Sequence, residues 1–291
     1  MTYSDEIEHP TQTIGSELFS HLKADSPSAL RFAWWDERIL DWCMRHEALK
    51  VQLFRFIDVL PMLKTSAQVA GHLQGYLLDH KELFPPAVQR GLTLASHNPV
   101  AVRAMGLAVK RNTKRMARRF IAGETPAEAL ATIHKLRQQQ CAFTLDLLGE
   151  ATLSEEEARA YQQRYLELLP ALAAATQAWP TVAHIDTGPA GALPRLHVSL
   201  KLTALYSQFD AIDPARTATL VKERLRPILR TAKEADACVT IDMEQYRYKD
   251  LTLRICTEIF AEAEFRDWPH AGIVLQAYLR ESEQDLQNLL A

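Results

Sequence analysis

The stretch His197–Val198–Ser199–Leu200–Lys201 is short and largely apolar, and it ends on a lysine. Two further stretches share this build: Cys238–Val239–Thr240–Ile241–Asp242 and Ile273–Val274–Leu275–Gln276. An earlier one, Ala142–Asp146, leads to Glu150. Each run is too short for a helix and is followed by a longer stretch with helical periodicity. Strands alternating with helices in this way predict βαβ units and a parallel sheet. Consecutive parallel strands bring their last side chains to one face, which is where catalysis occurs in a (β/α) barrel. A doubly wound dinucleotide fold is disfavoured because no GxGxxG loop follows a strand. The chain ends at Ala291, soon after the fourth run. The expected fold is therefore α/β, with helices followed by the first half, about four β/α units, of a (β/α)8 barrel. Such a half barrel is expected to leave two open sheet edges and an uncovered apolar face.

Working outward gives three segments: a polar N-terminal stretch over 1–30, a helical region over 31–122 and a partial barrel over 123–291. The first has little periodicity beyond a short amphipathic piece around Ile14–Leu22. Phe32, Trp35, Ile39, Trp42, Cys43 and Leu49 then fall mostly at helical spacing, and a later apolar run stops at Pro61. Helices are predicted over Ser66–Leu78 and from Pro99, capped by Asn98, to about Ile121, with a break at Pro85–Pro86. Thr125–Pro126 opens another over Glu128–Gln139, and Ser154 caps a long one to about Gln177. Ile185–Pro194 reads as a loop. Pro214–Ala235, with a kink at Pro227, Leu251–Phe265 and Glu281–Leu290 complete the helices.

The bulk composition, 47% hydrophobic and 24% charged with a net charge of −3, is that of an ordinary globular protein and offers no global pull toward nucleic acid or anionic membrane. Cys43, Cys141, Cys238 and Cys256 lack metal-ligand spacing and read as small buried hydrophobes in a reducing compartment. The acidic start argues against a secretory signal, and no stretch approaches the ~20 apolar residues of a membrane span. The expected location is cytoplasmic. The segment Leu83–Gly123 has no Asp or Glu but carries Arg103, Lys110, Arg111, Lys114, Arg115, Arg118 and Arg119. It reads as a solvated helix face; the competing reading is a phosphate-binding patch.

The candidate chemistry lies at the ends of the four runs. Lys201 could hold an anionic substrate, act as a nucleophile once deprotonated, or merely reach solvent. Asp242, with Glu244 two residues on, could orient an amine, or cap a helix and pair with Arg247 or Lys249. Gln276 could hydrogen-bond the polar edge of a planar ring, or anchor a loop. Asp146 and Glu150 flank Gly149 and could be rim acids or solvated loop acids. Their common value comes from sharing one end of consecutive units. A cation and an amide around a planar cofactor suit hydride chemistry on a small amino or carboxylic acid. The set holds no histidine pair or cysteine cluster, which disfavours a metal.

Several motifs then agree in order: Thr144-Leu145-Asp146-Leu147-Leu148-Gly149-Glu150-Ala151, Ser199-Leu200-Lys201-Leu202-Thr203, Ile241-Asp242-Met243-Glu244, and Gly272-Ile273-Val274-Leu275-Gln276-Ala277-Tyr278-Leu279-Arg280. Together they resemble the proline dehydrogenase family, in the form at the front of bacterial bifunctional proline utilization A chains. Phe54–Pro61 resembles the arm and α-domain ahead of that barrel. The resemblance implies an FAD enzyme that oxidises L-proline to Δ1-pyrroline-5-carboxylate and passes electrons to a quinone, with peripheral contact at the inner membrane face. Lys201 would contact the substrate carboxylate beside the flavin, Asp242 would be the acid near flavin and proline, and Gln276 would hydrogen-bond the flavin edge. Glu150 would pair with an arginine that gates the site. The family's Arg-Leu-Val-Lys-Gly-Ala-Tyr-Trp motif, its near-terminal Arg-Arg pair and its aldehyde dehydrogenase part are not in this sequence, and neither is a ribbon-helix-helix segment, so no DNA partner is expected. The isolated chain is expected to bind FAD weakly and turn over poorly unless a companion chain supplies the rest. The competing readings are a non-catalytic helical or nucleic-acid-binding module and a Lys201 Schiff-base lyase.

Overall fold

A computed structural model of the chain describes residues 5–24, 45–77, 89–90, 99–118, 120–149, 152–189 and 191–290. Glu150, Cys43, the helical run over 29–44, the boundary at 30/31, Pro85–Pro86, Asn98 and Arg119 lie outside these residues. The chain divides into two compact units, Met1–Ala117 and Arg118–Ala291.

The first unit is helical: α1 (Asp5–Ala24), α2 (Glu47–Val59), α3 (Ser66–Leu77) and α4 (Pro99–Ala117), with a 3-10 turn over Leu60–Met62. The expected short piece around Ile14–Leu22 is thus part of a 20-residue helix that contains Pro10. Glu8 lies near its positive N-terminal dipole, and the Thr11 hydroxyl donates to Ile7 O (2.7 Å), so these polar residues suit helix despite weak apolar periodicity. Helix α2 stops before Pro61, which sits in the 3-10 turn because proline cannot donate in a helix interior. Leu49, Phe56, Leu60, Leu63, Val69 and Leu73 form this unit's core. Helices α3 and α4 approach closely at Gly106, where a Cβ would lie 2.2 Å from Ser66 O. Helix α4 ends at Ala117, a turn earlier than expected, and exposes Arg103, Arg111, Lys114 and Arg115.

The second unit opens with α5 (Pro126–Gln138), whose Thr125 cap accepts from Glu128 N. It continues through β1 (Leu145–Asp146), α6 (Glu155–Gln177), a helical turn α7 (Ala183–Asp186) and a small ribbon, β2 (Thr187–Gly188) with β3 (Gly191–Ala192). Then follow β4 (Leu196–Leu200), α8 (Pro214–Glu234), β5 (Ala237–Ile241), α9 (Lys249–Phe260), β6 (Ala271–Ile273) and α10 (Ser282–Leu290). Strands β1, β4, β5 and β6 form one parallel sheet in that spatial order, the sequential neighbouring expected of barrel strands. Ser154 and Glu157 form a capping box on α6. The expected loop over Ile185–Pro194 instead holds α7 and the ribbon. Asp186 is buried there, pairing with Arg137 and accepting from Val182 N at 2.8 Å. Helix α8 runs unbroken through Pro227, and α9 ends at Phe260, with turns carrying the chain past Phe265.

Strand alternation sorts the sheet's two faces. Leu196, Val198, Leu200, Ala237, Val239 and Ile241 are fully buried in one cluster with apolar residues of α6, α8 and α9. The alternate residues, Thr144, Asp146, His197, Ser199, Cys238 and Thr240, form the opposite face. There His197 links β4 to β5 and to the residue before β1, with Nδ1 3.1 Å from Thr144 Oγ1 and Nε2 2.6 Å from Thr240 Oγ1. Burial lowers the imidazole's tendency to take a proton. The expectation of an uncovered apolar face is therefore corrected: the face away from the helices is polar and half-buried. A second correction concerns the cysteines. Cys256 is buried, Cys238 is half-buried, and Cys141 is exposed just past Gln140, whose φ of 61° turns the chain after α5.

Candidate active site

Three strand ends converge on Lys201. The residue follows β4 on the polar face and is only 6% exposed, so it does not simply reach solvent. Its Nζ lies 2.5 Å from Asp146 Oδ2, which follows from the register placing Asp146 beside Ser199. Asp242 Oδ2, at the end of β5, and Glu244 Oε1 are each 4.0 Å from the same nitrogen. Among the described residues, one ammonium thus faces three carboxylates, each about one-third exposed or less.

Asp242 does not pair with Arg247 or Lys249. Arg247 reaches Asp210 at 3.3 Å, and the buried Lys249 reaches Asp285 at 2.6 Å. Asp242 Oδ1 instead accepts from Met243 N (2.9 Å), and Asp242 N donates to Leu200 O (2.8 Å), which fixes the strand end. Thr203 Oγ1 donates to Glu244 Oε2 at 3.4 Å. Gln276 Nε2 donates to Met243 O at 3.3 Å, linking the chain after β6 to that after β5. The structure therefore gathers Lys201, Asp242 and Gln276 at one end of the sheet and adds Asp146 and Glu244.

The loops are tethered from outside. Glu155, at the start of α6, accepts from Ser207 N (3.1 Å) and Ser207 Oγ (2.7 Å) and pairs with Arg224, which also donates to Leu205 O (2.6 Å). The Arg224 guanidinium, with help from Ser207, outweighs burial and holds the Glu155 carboxyl at about 2. Tyr161 and Tyr165 lie fully buried beneath the end of β1. Sequence reasoning passed over both; the available signal was two tyrosines four residues apart on the inner face of a helix, since a buried phenol needs a partner.

Chemically, Lys201 is engaged by neighbouring carboxylates, whereas a Schiff-base lysine needs its nitrogen free to attack a carbonyl, so the arrangement opposes the lyase reading. The same arrangement suits binding a small amphoteric substrate, with acceptors for its amine and a cation for its carboxylate. One further acceptor, Asp146 Oδ1, is buried without a hydrogen-bond partner. No helix among the described residues is long and apolar enough to cross a membrane.

Comparison with known proteins agrees with this geometry. The family model for proline dehydrogenase matches residues 129–291, and that for the proline utilization A N-terminal domain matches residues 8–120. Bifunctional protein PutA of Escherichia coli (strain K12) is 30% identical over 163 residues, covering 56% of this chain and 12% of that protein. Proline dehydrogenase 1 of Bacillus subtilis (strain 168) is 32% identical over 177 residues, covering 61% of this chain and 49% of that protein. The crystal structure of proline utilization A from Bdellovibrio bacteriovorus, inactivated by N-propargylglycine, superposes with a TM-score of 0.80 at 39% identity, over 95% of this chain and 26% of that one. The chain thus spans at most about half the length of these relatives. With more than half its residues matched by the family model, and a parallel sheet ending in the lysine and acids described above, the chain belongs to the proline dehydrogenase family.

Proposed function

We propose that this chain serves the FAD-dependent oxidation of L-proline to Δ1-pyrroline-5-carboxylate in proline catabolism, with a quinone as final electron acceptor. The observation that carries the proposal is the buried Lys201 ammonium beside Asp146, Asp242 and Glu244 at the ends of parallel strands. Lys201 holds the substrate carboxylate. Asp242 and Glu244 are placed to receive the proton that the proline nitrogen sheds before its lone pair can assist loss of the C5 hydrogen. Gln276, whose amide both donates and accepts, and Lys201 offer the polar contacts that a flavin ring edge requires, and Asp146 Oδ1 leaves a buried acceptor unused. The donor set on this face therefore fits the cofactor. When bound, FAD supplies the two-electron acceptor for the C5 hydride. Glu150, four residues after Asp146 in the sequence, would pair with an arginine to gate the site, as the family resemblance implies.

The test is a titration of FAD into the 291-residue chain, followed by anaerobic addition of L-proline. The expected result is weak but saturable quenching of flavin fluorescence, then slow proline-dependent bleaching that Lys201→Met abolishes. A titration that never saturates, or bleaching unchanged by Lys201→Met, refutes the proposal. N-propargylglycine, which inactivates the Bdellovibrio relative, should also inactivate this site.

A further inference from the structure

The Lys201–Asp146 contact depends on how far β1 stands from β4 at their ends, and one side chain sits at that point. Strand β1 pairs with β4 through Leu145 and Asp146. Leu147 N–H, the next donor along the chain, goes to the Tyr165 hydroxyl at 3.4 Å. The same hydroxyl donates to Ser199 O at 2.6 Å. It does what a bridging water does in a splayed ladder, accepting from one strand and donating to the other. Tyr161 adds a second grip, its hydroxyl donating to Leu147 O at 3.4 Å while its ring meets that of Tyr165 edge-on at 5.3 Å. Leu147 is thereby held by both its N–H and its C=O. Its neighbour Asp146 carries the carboxylate 2.5 Å from Lys201, and Ser199 lies two residues before that lysine.

We propose that Tyr165 is a positioning residue for the site: its hydroxyl, inserted between Leu147 N and Ser199 O, sets the strand separation at which Asp146 meets Lys201. Its importance for proline oxidation rests on the function proposed above, whereas its effect on the lysine does not. Burial pushes the phenol up to about 12, so the hydroxyl keeps its proton, and with it its donor role, throughout the working pH range. The ring fills the core below the sheet, so phenylalanine keeps the packing and deletes only the bridge.

The test compares Tyr165→Phe with Leu172→Val, a cavity-forming change at a fully buried position on the same helix. Both are read in the flavin-free chain by the 15N signal of the Lys201 ammonium, visible only while ordered partners slow its proton exchange. Tyr165→Phe is expected to lose that signal and to speed exchange of the Leu147 amide about fivefold, the worth of one ordinary hydrogen bond. Leu172→Val should keep both. A Lys201 signal that survives Tyr165→Phe, or that disappears equally in Leu172→Val, overturns the proposal. Failure of the proline test with these signals behaving as expected would sink the proposed function and leave the tyrosine's role standing.

Discussion

Lys201→Met removes the ammonium while keeping a side chain of similar length, so it isolates the electrostatic part of the site. At an effective dielectric of 20, two unit charges 4 Å apart interact by about 4 kcal/mol, and Asp242 and Glu244 stand at that distance, with Asp146 nearer at 2.5 Å. Much of this gross attraction is offset by the cost of desolvating a lysine that is 6% exposed. Breaking a fully buried pair typically costs about 3–5 kcal/mol, because the surviving charge is left without a partner. Here the three carboxylates keep 29–32% of their surface and can turn toward water, so a loss of about 2–3 kcal/mol at neutral pH is expected. Urea denaturation of both chains at neutral pH is the assay. Asp146→Asn added to Lys201→Met should restore about 1 kcal/mol by removing one of the crowded charges. A variant within about 0.5 kcal/mol of the parent at pH 7 would refute the account of the site as a charge-balanced cluster.

Two other outcomes follow from the scaffold. Glu155→Gln should destabilise the chain by about 1 kcal/mol, a value reduced because the carboxylate is 39% exposed and partly screened. The folded carboxyl is held at about 2 against an ordinary 4.5, so its contribution is complete above about pH 4.5 and lost as pH falls toward 2. Parent and variant unfolding curves should therefore converge on acidification, and curves that stay apart at pH 2 would contradict the Arg224 pairing. Gly106→Ala places a Cβ 2.2 Å from Ser66 O, a backbone atom that cannot swing aside. It should cost about 1–3 kcal/mol by thermal or urea denaturation, and an unchanged midpoint would refute the close approach of α3 and α4.

What the sequence reveals follows physical lines. Strand β5, Ala237–Ile241, holds the apolar run Cys238–Ile241 and one residue before it, because it has a partner on each side and both ends are marked by polar residues. Strand β1 shrinks from the expected Ala142–Asp146 to two residues, since β4 alone pairs with it among the described residues. The helix starts at Thr125 and Ser154 are legible because capping is local chemistry. Helix α1 is only partly legible: Ile14, Leu18 and Leu22 fall at helical spacing, but its first two turns are polar apart from Ile7 and carry little apolar signal. The site divides the same way. Lys201, Asp242 and Gln276 stand out because strand ends can be counted from the pattern. The pairing of Lys201 with Asp146 depends on register between residues 55 apart, and Tyr165 on a helix passing beneath both.

The charge balance at the strand ends also bears on how the substrate is held. Lys201 carries one positive charge, and Asp146, Asp242 and Glu244 already surround it. A substrate carboxylate arriving there would be one more anion beside them, and at an effective dielectric of 20 each carboxylate 4 Å away would oppose it by about 4 kcal/mol before screening. Lys201 alone therefore suits orienting that carboxylate better than binding it tightly. Firm binding needs added positive charge, and the arginine pair implied by the family resemblance is chemically of the right kind: a planar, permanently charged fork matched to a carboxylate. On this argument, weakening the acids should tighten carboxylate binding. Glu244→Gln should lower the Kd for a five-membered-ring carboxylate that lacks the amine severalfold, measured by flavin spectral shift, and an unchanged or looser Kd would refute the repulsion argument.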